Sequence, residues 1–157
     1  MRELSLSRYV VRVRQVPAYA LTLIAGNTRL PEPPTVEVKT VAGTETVRAR
    51  PGMPEYDEYQ SQVAAMMETV ARRQTWFAIS YGVYQWKTKD GEWQSEPPPD
   101  WELDPMIATI GGDTGDRRLN FILYEVLADP GDLTAVSQAV SGIREEDIEA
   151  AEALFRR

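Results

Sequence analysis

The sequence predicts an α+β fold, mainly α: a small N-terminal β unit with a hairpin, one long central helix and a C-terminal helical unit. Three observations predict it. A helical period is sustained from Pro54 to Gly82. Short β-branched, alternating runs precede it, and further helical patterns follow Gly112. The corresponding stretches are 1–53 (β-rich, with a short helix), 54–82 (the long helix), 83–112 (an aromatic and proline-rich connector) and 113–157 (the helical unit), together one domain of 157 residues.

The first strand is Arg8 to Val16, where Val11 and Val13 fall on one face and Arg12 and Arg14 on the other. A row of arginines is suited to phosphate; the plainer reading is a solvated outer face or an edge strand guarded by charge. Pro17 to Ala25 reads as a short helix with Gly26-Asn27 as its stop. Leu30-Pro31-Glu32-Pro33-Pro34 is an extended, polyproline-like connector, since closely spaced prolines fit neither a helix interior nor a central strand. Thr35 to Arg50 alternates as a hairpin turning at Ala42-Gly43, and Pro51-Gly52 breaks it.

In the long helix, Tyr56, Tyr59, Val63, Met66, Met67, Val70 and Phe77 recur at three- and four-residue steps and share one face. Glu55, Asp57, Glu58, Gln62, Glu68, Arg72 and Arg73 lie largely on the others. Pro54 suits a first turn, the acids after it suit the helix dipole, and Gly82 stands where a C-terminal cap is expected. At 1.5 Å per residue such a helix is roughly 40 Å long.

Val83 to Trp93, with a turn signal at Asp90-Gly91, is a small hairpin or an ordered loop. Glu96-Pro97-Pro98-Pro99-Asp100-Trp101 is a second stiff connector. Trp86, Trp93 and Trp101, with Lys87 and Lys89 between them, resemble a base-stacking surface, but Asp90, Glu92, Glu96, Asp100 and Glu102 around them repel phosphate. Tryptophans beside prolines pack a loop onto a core or anchor a protein partner. Gly111 to Gly115 is a flexible joint and N-cap without the spacing of a phosphate loop. Arg117 to Ala128 is a helix with Leu119, Ile122, Leu123, Val126 and Leu127 inward. After the Asp129-Pro130 cap, Asp132 to Val140 is the next, with Leu133, Val136 and Val140 inward and Gly142 as its stop. Glu145 to Phe155 is the last, acidic at its start and ending in Arg156-Arg157.

Composition narrows the chemistry. Net charge is −7 with a pI near 4.7, which argues against binding nucleic acid or an anionic membrane. The charge is uneven: residues 1–50 carry net +4 and the rest net −11. With no Cys and no His there is no disulfide, no thiolate, no imidazole base and no structural zinc set. No apolar run approaches the ~20 residues of a membrane span, and Met1 to Ser5 lacks a signal-peptide core, so a soluble intracellular protein is expected. The best candidates for catalysis are Asp113 and Asp116, paired carboxylates able to do acid–base work or hold a hard cation. Asp-Thr-Gly-Asp is too short for a calcium loop, and the Asp-Thr-Gly triplet lacks the strand pattern of an aspartic protease. No catalytic, cofactor or metal site is assigned.

The order of landmarks carries a resemblance. Leu30-Pro31-Glu32-Pro33-Pro34 leads to a charged hairpin. Pro54-Glu55-Tyr56 opens a long helix that closes at Tyr81-Gly82-Val83, and Pro-Pro-Pro-Asp-Trp follows at 97–101. Then come Arg117 to Leu127, Asp-Pro-Gly-Asp-Leu at 129–133, and Glu145 to Phe155. Over most of residues 30–157 this is similar to small accessory proteins encoded among the tail genes of long-tailed bacteriophages, in particular tail assembly chaperones. The resemblance implies a non-enzymatic protein in the cytoplasm of the infected host. It would coat the long, partly hydrophobic tape measure protein, or bind other tail proteins, and would be a possible homo-oligomer. Tyr56, Tyr59, Met66 and Met67 suit such gripping, because methionine and tyrosine adapt to irregular partners; Trp86, Trp93 and Trp101 complete the candidate partner-binding set. The plainer reading makes the helix face a core surface against residues 117–155. Two other functions stand beside the chaperone. One is a structural component of the virion neck or tail. The other is a small enzyme or regulator acting through Asp113 and Asp116, for which Asp113→Asn would abolish activity.

Overall fold

Alternation in a β-branched segment turns one set of side chains inward, and Tyr9–Val13 (β2) does this with Val11 and Val13, both buried. In the computed structural model, which describes residues 2–142 with Ala153 and Leu154, β2 is the central strand of an antiparallel sheet ordered β1-β2-β5. β1 is Arg2–Ser5, and β5 is Val83–Thr88. Of the two plainer readings, a solvated outer face or an edge strand, the edge strand does not hold: β2 is central, because two partners flank it, a first strand whose short, charged sequence gives little β signal and a strand some seventy residues downstream. Among the described residues helix accounts for 47% and strand for 20%, so the fold is α+β, mainly α.

A register shift between Arg12 and Val13 decides which side chains of β5 point inward. Val11 pairs with Trp86 and Arg12 with Gln85, but Val13 pairs with Val83. The extra residue, a β-bulge, lets Val83 and Trp86 both face the core although three positions apart. Trp86 also bridges Gln94 through two backbone hydrogen bonds of 3.0 and 2.7 Å. Residues 83–94 are thus a strand with a short return, the hairpin alternative.

The inner face of the sheet meets helical segments. Residues 117–128 are not one regular helix: Arg117–Phe121 (here α4, after α1 to α3 below) is α-helical, and Ile122–Val126 is a π-helical turn closed by Leu127 N–H donating to Ile122 O at 2.8 Å. Asn120 and Phe121 are buried beside Leu119, Ile122, Val126 and Leu127, while Leu123, expected inward, is only half-buried. The last described long helix, α5 (Pro130–Ser141), is capped by Asp129 and stopped by Gly142 in the left-handed conformation, φ 74°. Val136 and Val140 are buried; Leu133, expected inward, is exposed. The helix expected over 145–155 falls outside the described residues except for Ala153 and Leu154, which are helical.

Between β2 and β5 run α1 (Ala18–Gly26), the hairpin β3 (Thr35–Thr40) with β4 (Gly43–Arg48), and α2 (Pro54–Gly82). A short helix α3 (Pro105–Thr109) follows the second proline segment, capped by Asp104. The hairpin pairs Thr35 with Arg48 through to Thr40 with Gly43, turning on Val41 and Ala42. The chain divides into two compact units, Met1–Thr22 with Gln74–Arg157, and Leu23–Arg73. The divisions fall inside α1 and α2 rather than at the proline segments, because β2 and β5 pair across the insertion.

α2 begins as expected, with Pro54 and then Glu55 and Asp57 in its first turn. Its end differs in cause. Gly82 is not in a left-handed cap; it is buried where a Cβ would come within 2.2 Å of Val140 Cγ1, and its carbonyl accepts Arg14 N–H at 2.8 Å. Only a residue without a side chain allows this approach. No described helix is long and apolar enough to cross a membrane.

Candidate functional site

The apolar stripe of α2 is made by local periodicity, and its fate by what covers it. Within α2 only Ile79 and Gly82 are buried. Tyr56, Tyr59, Val63, Met66 and Val70 are half-buried, while Met67 keeps 60% of its surface exposed. A shallow depression of about 660 Å³ overlaps the stripe at Tyr56, Tyr59, Val63 and Met67 and extends onto the polar side of the helix at Asp57, Gln60, Ser61 and Ala64, its described lining coming from α2 alone. Tyr56 and Tyr59 rings lie 6.4 Å apart and tilted by 50°, and the Tyr56 hydroxyl accepts from Gln60 Nε2 at 3.1 Å. A depression walled by one helix is half a site, open to a second surface. Of the helix partners predicted by sequence, the structure brings Tyr56, Tyr59 and Met67 to this depression; Met66 lies on its flank.

The three tryptophans do not form one surface. Trp86, at 2% exposure, is core, packed 5.5 Å from the Phe121 ring, and cannot touch a partner. That corrects its place among the partner-binding residues: its pairing with the buried Val11 turns it inward. Trp101 meets Phe121 edge-on at 5.3 Å and donates Nε1–H to Glu125 Oε1 at 3.2 Å, so it holds the proline connector to the core. Trp93 alone lies on the outer sheet face, under the Arg12 guanidinium at 3.9 Å and near Lys87 Nζ at 5.1 Å. Arg12 is further held by Glu3 at 3.2 Å and Gln85 at 2.9 Å. Arg14 lies 3.8 Å from the Tyr81 ring and donates to the Tyr81 carbonyl at 2.7 Å. The arginine row is thus engaged by its own aromatic neighbours, an arrangement of cation–π contacts.

Asp113 and Asp116 serve their own loop. Asp113 Oδ1 accepts from Asn120 Nδ2 at 2.9 Å and from Gly115 N–H at 2.8 Å. Asp116 caps α4, accepting from Arg118 N–H at 3.0 Å and Leu119 N–H at 3.3 Å. Asn120, only 5% exposed, also accepts from Thr114 N–H and its hydroxyl at 3.0 and 2.8 Å, and is the hub of this loop. Among the described residues no cluster of three or more acidic side chains is placed to hold a metal ion.

The Asn120 amide, then the Gly115 N–H, hold the Asp113 carboxyl below its ordinary 3.8. A depressed folded value means that the stabilisation is fully present above pH 3.8 and is lost as pH falls through the lower folded value. In urea titrations the wild type is therefore expected to exceed Asp113→Asn in stability at neutral pH, with the gap closing in that acid window. A gap that does not change with pH would show that the charged form contributes nothing.

Sequence reasoning missed Arg118 and Asn120, whose partners are set by tertiary placement, and the exposed apolar side of α1. Tyr19 there is 71% exposed and Leu23 is also exposed; the run Ala-Tyr-Ala-Leu-Thr-Leu-Ile-Ala, with no charged residue, was the available signal. Fold and site together define an α+β protein bearing an open helical half-groove. Compared with known proteins, the chain matches no family model, no curated protein and no solved structure.

Proposed function

We propose that this protein is a non-enzymatic protein-binding factor that takes an apolar helical segment of a partner against α2. The observation that carries the reading is the open depression walled by α2, with Tyr56, Tyr59 and Met67 on its surface. Such a surface offers a partner apolar contact with adaptable side chains at low specificity, as a holder of varied helices requires. The resemblance supplies the identity of the partner: the tape measure protein of a long-tailed bacteriophage, kept soluble in the host cytoplasm during tail assembly.

The test is co-expression with the long helical protein encoded beside the tail genes, followed by light scattering. The expected result is a soluble co-complex with a partner that is insoluble alone, and at least a tenfold loss of co-purified partner on Met67→Glu. A closed ring without that complex would replace this reading with a structural component of the virion. A monomer indifferent to the partner would overturn both and return the search to Asp113 and Asp116.

A further inference from the structure

The outer face of the β1-β2-β5 sheet gathers cations on a chain whose net charge is −7. Val11 and Val13 are buried in the core, so Arg12 and Arg14 alternate to the other side. Lys87 pairs with Val10 and extends the row by one step. Against these three cations the strands set one acid on this face, Glu3, which is paired with Arg12 at 3.2 Å. Arg12 also donates Nη1–H to Gln85. Arg14 uses only Nε, donating to the Tyr81 carbonyl at 2.7 Å. Among the described residues its two Nη groups have no acceptor, and neither has Lys87 Nζ.

Arg14 is exposed and yet held in place. Its guanidinium lies over the Tyr81 ring at 3.8 Å and 5.4 Å from the Tyr84 ring, and Phe77 stacks on Tyr81 at 5.8 Å. A guanidinium lying on a ring keeps its in-plane N–H edge for an anion, in the fork geometry that matches a carboxylate. Because the group is already anchored, little side-chain freedom is lost when an anion binds. The rings on which a nucleic base would stack are engaged by the chain itself: Tyr81 by Arg14 and Phe77, Trp93 by Arg12 at 3.9 Å and Lys87 at 5.1 Å. That favours carboxylates over the phosphates of a nucleic acid. Spacing narrows the partner further. Alternate residues of a strand stand roughly 7 Å apart, and an extended peptide turns every second side chain to one side at the same step. Carboxylates at alternate positions therefore match the row Lys87, Arg12, Arg14. At its centre Arg12 would be shared with Glu3, an exposed pair that costs little to open.

We propose that this sheet face binds an extended acidic segment of a partner protein, with the free fork of Arg14 as the main anchor and Lys87 as the second cation. The surface shares no residue with the α2 depression, and the proposal does not rest on how that depression is read.

The test uses the full chain and a fluorescein-labelled peptide in which glutamate alternates with threonine, followed by fluorescence anisotropy. The expected result is saturable binding that weakens as sodium chloride is added, and no binding of the same peptide with glutamine for each glutamate. Arg14→Gln should lower the affinity roughly tenfold, the loss of a charged, forked contact. Arg14→Lys, which keeps the charge and loses the fork, should recover little of it. Lys87→Gln should give a smaller loss. Arg2→Gln removes the same charge from the other side of β1, where Arg2 pairs with Val13, and should change nothing. Unchanged far-ultraviolet circular dichroism establishes that the variants fold. Absence of saturable binding, equal binding of the glutamine peptide, or an unchanged affinity in folded Arg14→Gln would overturn the proposal. Binding of an oligothymidylate in place of the glutamate peptide would overturn it as well and give the face to phosphate.

Discussion

Replacing Trp86 with alanine is expected to lower the stability of the folded chain by about 4 kcal/mol, the range for removing a large buried aromatic side chain. The indole is 2% exposed and packs against Phe121 at 5.5 Å, and Arg118 lies 5.3 Å from its ring. Phe121 also carries Trp101, so the cavity opened by the substitution lies under the point where the proline connector meets the core. Two backbone hydrogen bonds to Gln94 do not depend on the side chain and remain, which limits collapse into the space. A urea titration measures the effect as a lower midpoint at an unchanged slope. Because Trp86 is internal, partner capture should follow the folded fraction only. A variant that folds fully yet loses capture would return Trp86 to the binding surface.

Replacing Arg118 with lysine is expected to cost about 3 kcal/mol, because hydrogen bonds from a charged donor are each worth roughly 1.5–3 kcal/mol and several are lost at once. The guanidinium donates to the carbonyls of Ser80 at 3.0 Å, Val83 at 2.7 Å, Tyr84 at 3.1 Å and Ser95 at 2.9 Å. Helix C-termini leave carbonyls unpaired and favour a cation, yet α2 has no basic residue in its last turn. Arg118 brings that charge from α4 and ties together the end of α2, the start of β5 and the connector. Burial pushes its pKa down, while Glu96 and Asp116 act the other way, and the guanidinium stays charged, as arginine does in proteins. An ammonium has three donors on a point and cannot span four carbonyls in the fork geometry of a guanidinium. Neighbouring Arg117 adds hydrogen bonds to Pro98 O and, at 2.8 Å, to Trp101 O. Since Arg118 touches Trp86, the double variant should lose less than the sum of the two single losses; strict additivity would show that they act apart.

Local chemistry made much of the fold legible. The start of α2 follows from Pro54 and the acids after it, the cap of α5 from Asp129-Pro130, its stop from Gly142, and the hairpin from the alternation over 35–48. These features depend on neighbours a few residues apart. Asp116 as an N-cap belongs to the same group: the Asp113–Asp116 pair reads as chemistry in a sequence and as loop construction once Asn120 is in place.

The sequence by itself determined the fold class, the long helix with its apolar stripe, and the exclusion of thiol and imidazole chemistry. The tertiary structure decided which candidate residues face outward. Trp86 is inside because it pairs with buried Val11 on a strand some seventy residues away, Phe121 because Trp86 and Trp101 close over it, and Gly82 is required by Val140 rather than by a helix cap. The physical reason is common to all three. Periodicity fixes which side chains share a face, but burial is set by the surface that closes over that face, and that surface comes from distant parts of the chain.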